Sequence, residues 1–227
     1  RRKDGSVYHE RAVIAPIRKD AHGVQPHAIS ITQATETGRV YTPDELAAIG
    51  ACARAAGLAL QMDGARFANA VAFLGSTPAA ASCDVGVDVL SFGFVKNGAM
   101  SVEALVHFDP VRADEARRLR KRAGHLQSKG RFLAAQLLAM LENGLWLDNA
   151  RAANAAAQAI AEGAAGRLLQ PVEGNQIFLR LTAPERAALR RQGFGFYDWG
   201  AEGARIVTAL DSREEDCRAL AKAIVVL

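Results

Sequence analysis

Asp63 and Lys96 are the residues whose types and placement could do chemistry. Each lies just after a short apolar segment that reads as a strand, about one strand–helix–strand unit apart. A lysine in an apolar pocket, or beside another cation, loses its proton readily and can form a Schiff base with a carbonyl compound. A pyridoxal phosphate enzyme needs such a lysine. It also needs an acid opposite the pyridine nitrogen, so that the protonated ring withdraws electrons. On spacing alone the ordinary reading is the stronger one. A strand-end aspartate is more often a turn or cap residue, and an exposed lysine is usually just solvated.

The surrounding pattern predicts the elements that would position the two residues. Ala28 to Thr32, Leu58 to Met62, Asp88 to Phe92 and Ala104 to Phe108 read as strands. Pro43 to Ala56 reads as a helix with Thr42 as N-cap, Pro43 at the first helical position and Asp44 and Glu45 near its positive end. Phe67 to Phe73 reads as a helix and Thr77 to Ser82 as a helical turn. Strands alternating with helices predict the α/β class with a mainly parallel sheet. Ligands of such sheets collect at the carboxyl ends of strands, where Asp63 and Lys96 are expected. From Val111 to Ala165 the chain reads as mostly helical, with a break between two long helices at Gly144. The tail alternates strand (Gln176 to Leu181), helix (Pro184 to Gln192), strand (Arg205 to Leu210) and helix (Arg213 to Val226), which suits a smaller α+β domain. The expected organisation is a large domain, present in part, over residues 1–143, and a small C-terminal domain over 144–227.

The 227 residues are 50% hydrophobic and 23% charged, as in soluble globular chains rather than disordered or fibrous ones. No apolar run approaches the roughly 18 residues of a membrane span, and the start does not read as a secretion signal. Cys52, Cys83 and Cys217 are widely separated and odd in number. They suggest neither a disulfide framework nor a metal site, and a reducing cytoplasm is the default. The net charge of +4 is spread along the chain, with no basic face interleaved with aromatics, so neither nucleic acid nor a membrane is an expected partner.

Longer stretches around the two residues carry a family likeness. Gln61-Met62-Asp63-Gly64-Ala65-Arg66-Phe67-Ala68-Asn69-Ala70 resembles the H-M-D-G-A-R-x-x-N-A block of the threonine aldolase and β-eliminating lyase family. Asp88 to Ala99 resembles its lysine block. Arg120-Lys121-Arg122-Ala123-Gly124-His125, Gly144-Leu145-Trp146-Leu147 and Arg205-Ile206-Val207-Thr208 follow in the family's order. The resemblance implies an aspartate aminotransferase-like fold and pyridoxal 5′-phosphate as cofactor. It implies cleavage of a β-hydroxy-α-amino acid such as L-threonine or L-allo-threonine to glycine and an aldehyde, as in low-specificity aldolases. Under it, Lys96 holds the cofactor, Asp63 pairs with the pyridine nitrogen, and Arg66 and Arg205 hold the substrate carboxylate. A guanidinium fork meets a carboxylate through two parallel hydrogen bonds. The expected cofactor contacts are Lys96, Asp63, Arg66 and Gln33. Thr32, Thr35 and Glu36 are further lining candidates, or simply a polar loop.

The same resemblance places Lys129 and Arg131 near the cofactor phosphate, His125 near the site, and a homodimer or homotetramer with shared sites. Val95 stands where relatives often carry a polar residue. A phosphate-binding turn and a ring-stacking histidine have no match between Arg1 and His27, where His9 and His22 sit in poor contexts. An incomplete sheet, with the chain starting inside the large domain, is therefore expected. The competing readings are another lyase or an aminotransferase on the same fold, and a subunit that has lost catalysis.

Overall fold

A computed structural model describes residues 25–227. Three strands, β1 (Ala28–Thr32), β2 (Ala59–Gly64) and β3 (Val89–Gly93), run parallel and adjacent, joined through α1 (Pro43–Ala55) and α2 (Phe67–Leu74). A fourth, β4 (Glu103–His107), folds back antiparallel on β3, so the sheet order is β1-β2-β3-β4. Leu60, Met62 and Leu90 alternate onto the buried face, which packs on Leu46 and Ile49 of α1 and Phe67 and Val71 of α2. α1 starts as its sequence demands. Thr42 accepts from the Glu45 amide at 3.3 Å, and the Glu45 carboxylate accepts from the Thr42 amide at 2.8 Å, a complete capping box.

The next segment forms three helices rather than two: α3 (Pro110–Arg122), α4 (Arg131–Leu141) and α5 (Leu145–Glu162). The extra break falls between Gly124 and Gly130, where Gly124 and Lys129 take positive φ of 77° and 57°. α3 buries none of its residues, so no packing carries the helix across the break. At the second break Gly144 takes φ of 75°, as expected of that glycine.

A second sheet is fully antiparallel: β5 (Gln176–Arg180), β7 (Gly203–Val207) and β6 (Tyr197–Asp198), in the order β5-β7-β6. It packs with α6 (Ala183–Arg191) and α7 (Glu214–Val225). α5 serves both cores. Trp146 and Ala150 belong to the first, and Ala157, Ile160 and Ala161 to the second. Its buried alanines let neighbouring helices approach closely, and the side-chain amides of Asn69 and Asn154 tie it to α2 at 2.9 Å. Among the described residues no helix is long and apolar enough to cross a membrane.

Two features of this packing have measurable consequences. A Cβ on Gly64, the last residue of β2, would stand 2.6 Å from Leu90 Cδ1 and 2.9 Å from the Ser91 carbonyl oxygen. Gly64→Ala is expected to lower unfolding stability by about 1–3 kcal/mol, read by denaturant titration. The second feature is Glu185, which closes the Thr182 capping box and pairs with Arg167 at 2.7 Å. Its pKa falls from 4.5 to about 2, first through the Thr182 amide and then through Arg167. A depressed carboxylate pKa stabilises the fold fully above the unfolded value. Glu185→Gln should therefore be less stable than the parent at neutral pH. In melts across pH, the difference should shrink below 4.5 and close toward about 2.

Candidate active site

The carboxyl ends of the three parallel strands converge on a solvent-open pocket of about 480 Å³. Thr32 and Asp63 are register partners at the ends of β1 and β2, and Lys96 follows β3 in a 3-10 turn, Val95–Asn97. Asp63 lies inside its strand, one residue before the end. Its Oδ1 accepts from the Ala65 amide at 2.9 Å, which fixes the carboxylate at the pocket wall. Thr35 and Glu36, in the loop after β1, line the same space. That loop is clipped to the chain preceding β5 by Glu173, which accepts from the Val40 amide at 2.7 Å and pairs with Arg39 at 2.9 Å.

The turn bearing Lys96 is held from both sides. Before it, the Phe94 and Val95 amides each donate to the Glu103 carboxylate at 3.2 Å. After it, the buried Asn97 side chain donates to the Trp146 carbonyl at 2.7 Å, while Asn149 donates to the Asn97 carbonyl at 2.9 Å. Gly98 follows at φ of 113°, and a Cβ there would come within 2.8 Å of Leu210. Beneath the turn Phe92 packs on Phe94 and Trp146, with ring centroids 4.3 and 5.2 Å apart. The backbone is thus fixed by β4 and α5 while the lysine side chain stays exposed at the pocket.

Across the pocket stand two guanidiniums. Arg66 is the N-cap residue of α2, and its Nε donates to Asn175 Oδ1 at 3.1 Å. Arg205, on β7, faces the Gln176 carboxamide; with that amide turned so that its oxygen meets the guanidinium, it accepts from Nη2 at 2.8 Å and from Nε at 3.1 Å. Both holders are buried neutral amides, and Asn175 is fixed in turn by donating to the Thr208 carbonyl at 2.7 Å. Burial first, and then the neighbouring Arg205, lower the Arg66 pKa, against smaller upward pulls from Glu36 and Asp63. Arg66 and Arg205 take part in no ion pair among the described residues. A pair of cations with no carboxylate within salt-bridge distance keeps its charge available to an anion entering the pocket.

Asp63, Arg66, Lys96 and Arg205 therefore line one cavity, together with Thr32, Thr35 and Glu36. Gln33 does not line it. Its fully buried carboxamide accepts from the Tyr41 amide and donates to the Tyr41 carbonyl, both at 3.0 Å, and so shapes the loop. Lys129, Arg131 and His125 lie outside the lining, with Arg131 over the Phe132 ring at 4.7 Å. Val95 is 43% exposed and contributes its amide to Glu103. His9 and His22, residues 1–24 of the stretch without a match to the phosphate turn and stacking histidine, and the expected start of the chain within the sheet lie outside the described residues. Sequence reasoning missed Asn175, Gln176 and Tyr197. A polar pair opening the otherwise apolar run Ile177-Phe178-Leu179 was the available signal for the first two, and a lone tyrosine in a glycine-flanked stretch for the third.

Comparisons with known proteins bear on the family and the fold. The chain is 45% identical over 213 residues to a low specificity L-threonine aldolase of a Pseudomonas species, covering 92% of this chain and 62% of that protein. The chain thus spans less than two thirds of that relative's length. A Leishmania major threonine aldolase structure superposes with a TM-score of 0.83 at 28% identity, over 91% of this chain and 62% of that one. A probable N-succinyldiaminopimelate aminotransferase of Thermus thermophilus has the same fold, with a TM-score of 0.63 at 19% identity over 88% of this chain and 58% of that one. The mainly parallel sheet and the smaller antiparallel one are thus those of the aminotransferase-like fold. The model of the beta-eliminating lyase family matches residues 3–183, and the chain belongs to that family.

Proposed function

We propose that the protein is a pyridoxal phosphate-dependent aldolase that cleaves a β-hydroxy-α-amino acid of the threonine type to glycine and an aldehyde. The observation that carries this reading is the meeting of Lys96, Asp63 and the unpaired cations Arg66 and Arg205 in one pocket. The donor set fits the cofactor: a lysine on a rigid turn, a carboxylate on the neighbouring strand end, and hydroxyl and acidic groups between them. When bound, pyridoxal phosphate supplies an electron sink for the pair of electrons released from the broken Cα–Cβ bond.

The chain's own residues do the rest. Lys96 is free of hydrogen bonds to the described residues, so its amine is available to hold the cofactor and to exchange with the substrate amino group. Asp63, with Oδ1 engaged by Ala65, would keep a proton on the pyridine nitrogen with its other oxygen. Arg66 and Arg205 bind the α-carboxylate. A carboxylate held by two guanidiniums leaves the substrate little rotation about Cα, which sets which bond is broken. Glycine departs with the carboxylate, so the same pair serves substrate and product.

The reading extends to the setting. Three cysteines without disulfides suit a reducing cytoplasm. Phe132 and Leu138 on α4 are 60% and 68% exposed, which favours burial against a second copy. The division into a domain over 1–143 and another over 144–227 is part of the same proposal, with α5 as the shared wall.

Incubation of the cofactor-supplied protein with L-threonine should yield glycine and acetaldehyde in equal amounts. A keto acid product would instead assign it to transamination. Lys96→Ala should abolish cleavage. Arg205→Leu should lower kcat/KM by about 30-fold or more, mainly through KM, because one partner of a charged hydrogen-bonded pair costs roughly 2–5 kcal/mol. Steady-state kinetics with threonine distinguishes these outcomes.

A further inference from the structure

Several other arginines in the second half of the chain meet a carboxylate. Arg167 pairs with Glu185 at 2.7 Å, Arg186 and Arg190 share Asp198 at 3.2 and 2.7 Å, and Arg213 pairs with Asp216 at 2.8 Å. The pocket arginines do not. Their fixed neighbours are consecutive neutral amides, Asn175 and Gln176, each 3% exposed. An amide oxygen accepts a guanidinium hydrogen bond about as directionally as a carboxylate does, but leaves the cation's charge uncancelled.

The contact geometry adds to this. Asn175 takes the Nε of Arg66, and Gln176 takes the Nε and one Nη2 hydrogen of Arg205. A guanidinium has two edges that can grip a carboxylate through two bonds. The holders occupy the Nε side and leave the terminal pair of nitrogens for a ligand. Asn175 cannot drift, because its Nδ2 donates to the Thr208 carbonyl at 2.7 Å, and the Thr208 hydroxyl donates to the Ala153 carbonyl of α5 at 2.7 Å.

We propose that Asn175 and Gln176 are positioning residues that make the pocket select ligands bearing a carboxylate, by aiming Arg66 and Arg205 without neutralising them. This rests on the aldolase reading for the identity of the ligand, an amino acid, and goes beyond it in naming what sets the preference. The lowered pKa of Arg66 is consistent with it, since burial and Arg205 both disfavour the charge that an incoming anion would relieve.

The test is Gln176→Glu, nearly isosteric and one charge different. Calorimetric titration of the full chain, supplied with pyridoxal phosphate, compares two probes, glycine and glycinamide. Glycine should bind about 10-fold or more weakly in the variant, because the new carboxylate occupies Arg205 and repels the ligand. Glycinamide, which has no carboxylate, should change less than about 2-fold on the same reasoning. A merely structural role would weaken both probes alike, and that result overturns the proposal, as does glycine binding unchanged. Gln176→Leu removes the acceptor without adding charge and keeps the question open to measurement if the glutamate variant does not fold. It too should weaken glycine selectively, and equal losses overturn the proposal. The two readings separate cleanly. A parent chain that shows the glycine contrast but cleaves no threonine overturns the aldolase reading alone. One that cleaves threonine without the contrast overturns the amide assignment alone, and one that binds neither probe overturns both.

Discussion

The arrangement turns on two like charges facing one pocket with no carboxylate within salt-bridge distance of either. Arg66 and Arg205 face one pocket, and burial and the neighbouring Arg205 both work against the charge of Arg66. Such a pair persists only where the surrounding structure over-determines it. Here the restraint is a row of neutral hydrogen bonds anchored on α5, from Asn175 through Thr208 to Ala153. Under the proposed function, a carboxylate bound between them would offset the cost of keeping the charges bare.

That requirement explains why the two sheets are held as they are. Lys96 and Asp63 come from the first sheet, Arg205 from the second, and Arg66 from the first but aimed by the second. A shift between the cores would separate the four groups that line the pocket, and in an active site misplacement of about 1 Å can cost on the order of 100-fold in rate. α5 is the member common to both. Its first turns hold the lysine turn through Trp146 and Asn149, its middle meets α2 through Asn154, and its last turns pack in the second core. Alanine suits this duty: it is the best helix former and lets neighbouring elements approach from several sides.

Much of this was legible in the sequence, and the reason is local. Strand ends marked by Asp-Gly, a capping box such as Thr42 with Glu45, and apolar periods each report structure within a few residues, so the parallel strands and the helices beside them were readable. The family blocks located Asp63, Arg66, Lys96 and Arg205, which do share one pocket. Gln33 illustrates the limit: whether a polar residue after a strand faces ligand or backbone depends on the loop's return path, here the Tyr41 main chain eight residues on. Asn175 and Gln176 were invisible for the opposite reason, because their partner arginines lie 109 positions before and 29 positions after them in the chain. The break after α3 escaped notice because a charged, alanine-bearing stretch keeps helical propensity up to the point where packing fails to support it.

The electrostatics of the pocket complete the argument. Its lining carries three cationic side chains, Arg66, Lys96 and Arg205, against two carboxylates, Glu36 and Asp63. The charges are segregated by partner: Asp63 is steadied by a backbone amide and the arginines by side-chain amides, so none is spent on another within salt-bridge distance. A cavity with low-dielectric walls concentrates such a field on whatever enters it. The net effect draws in an anion and then offers it charge-assisted bonds that the protein has not already used. This is the sense in which neutral holders matter: a carboxylate at either position would tie the arginine just as firmly and leave the pocket with little to attract a ligand.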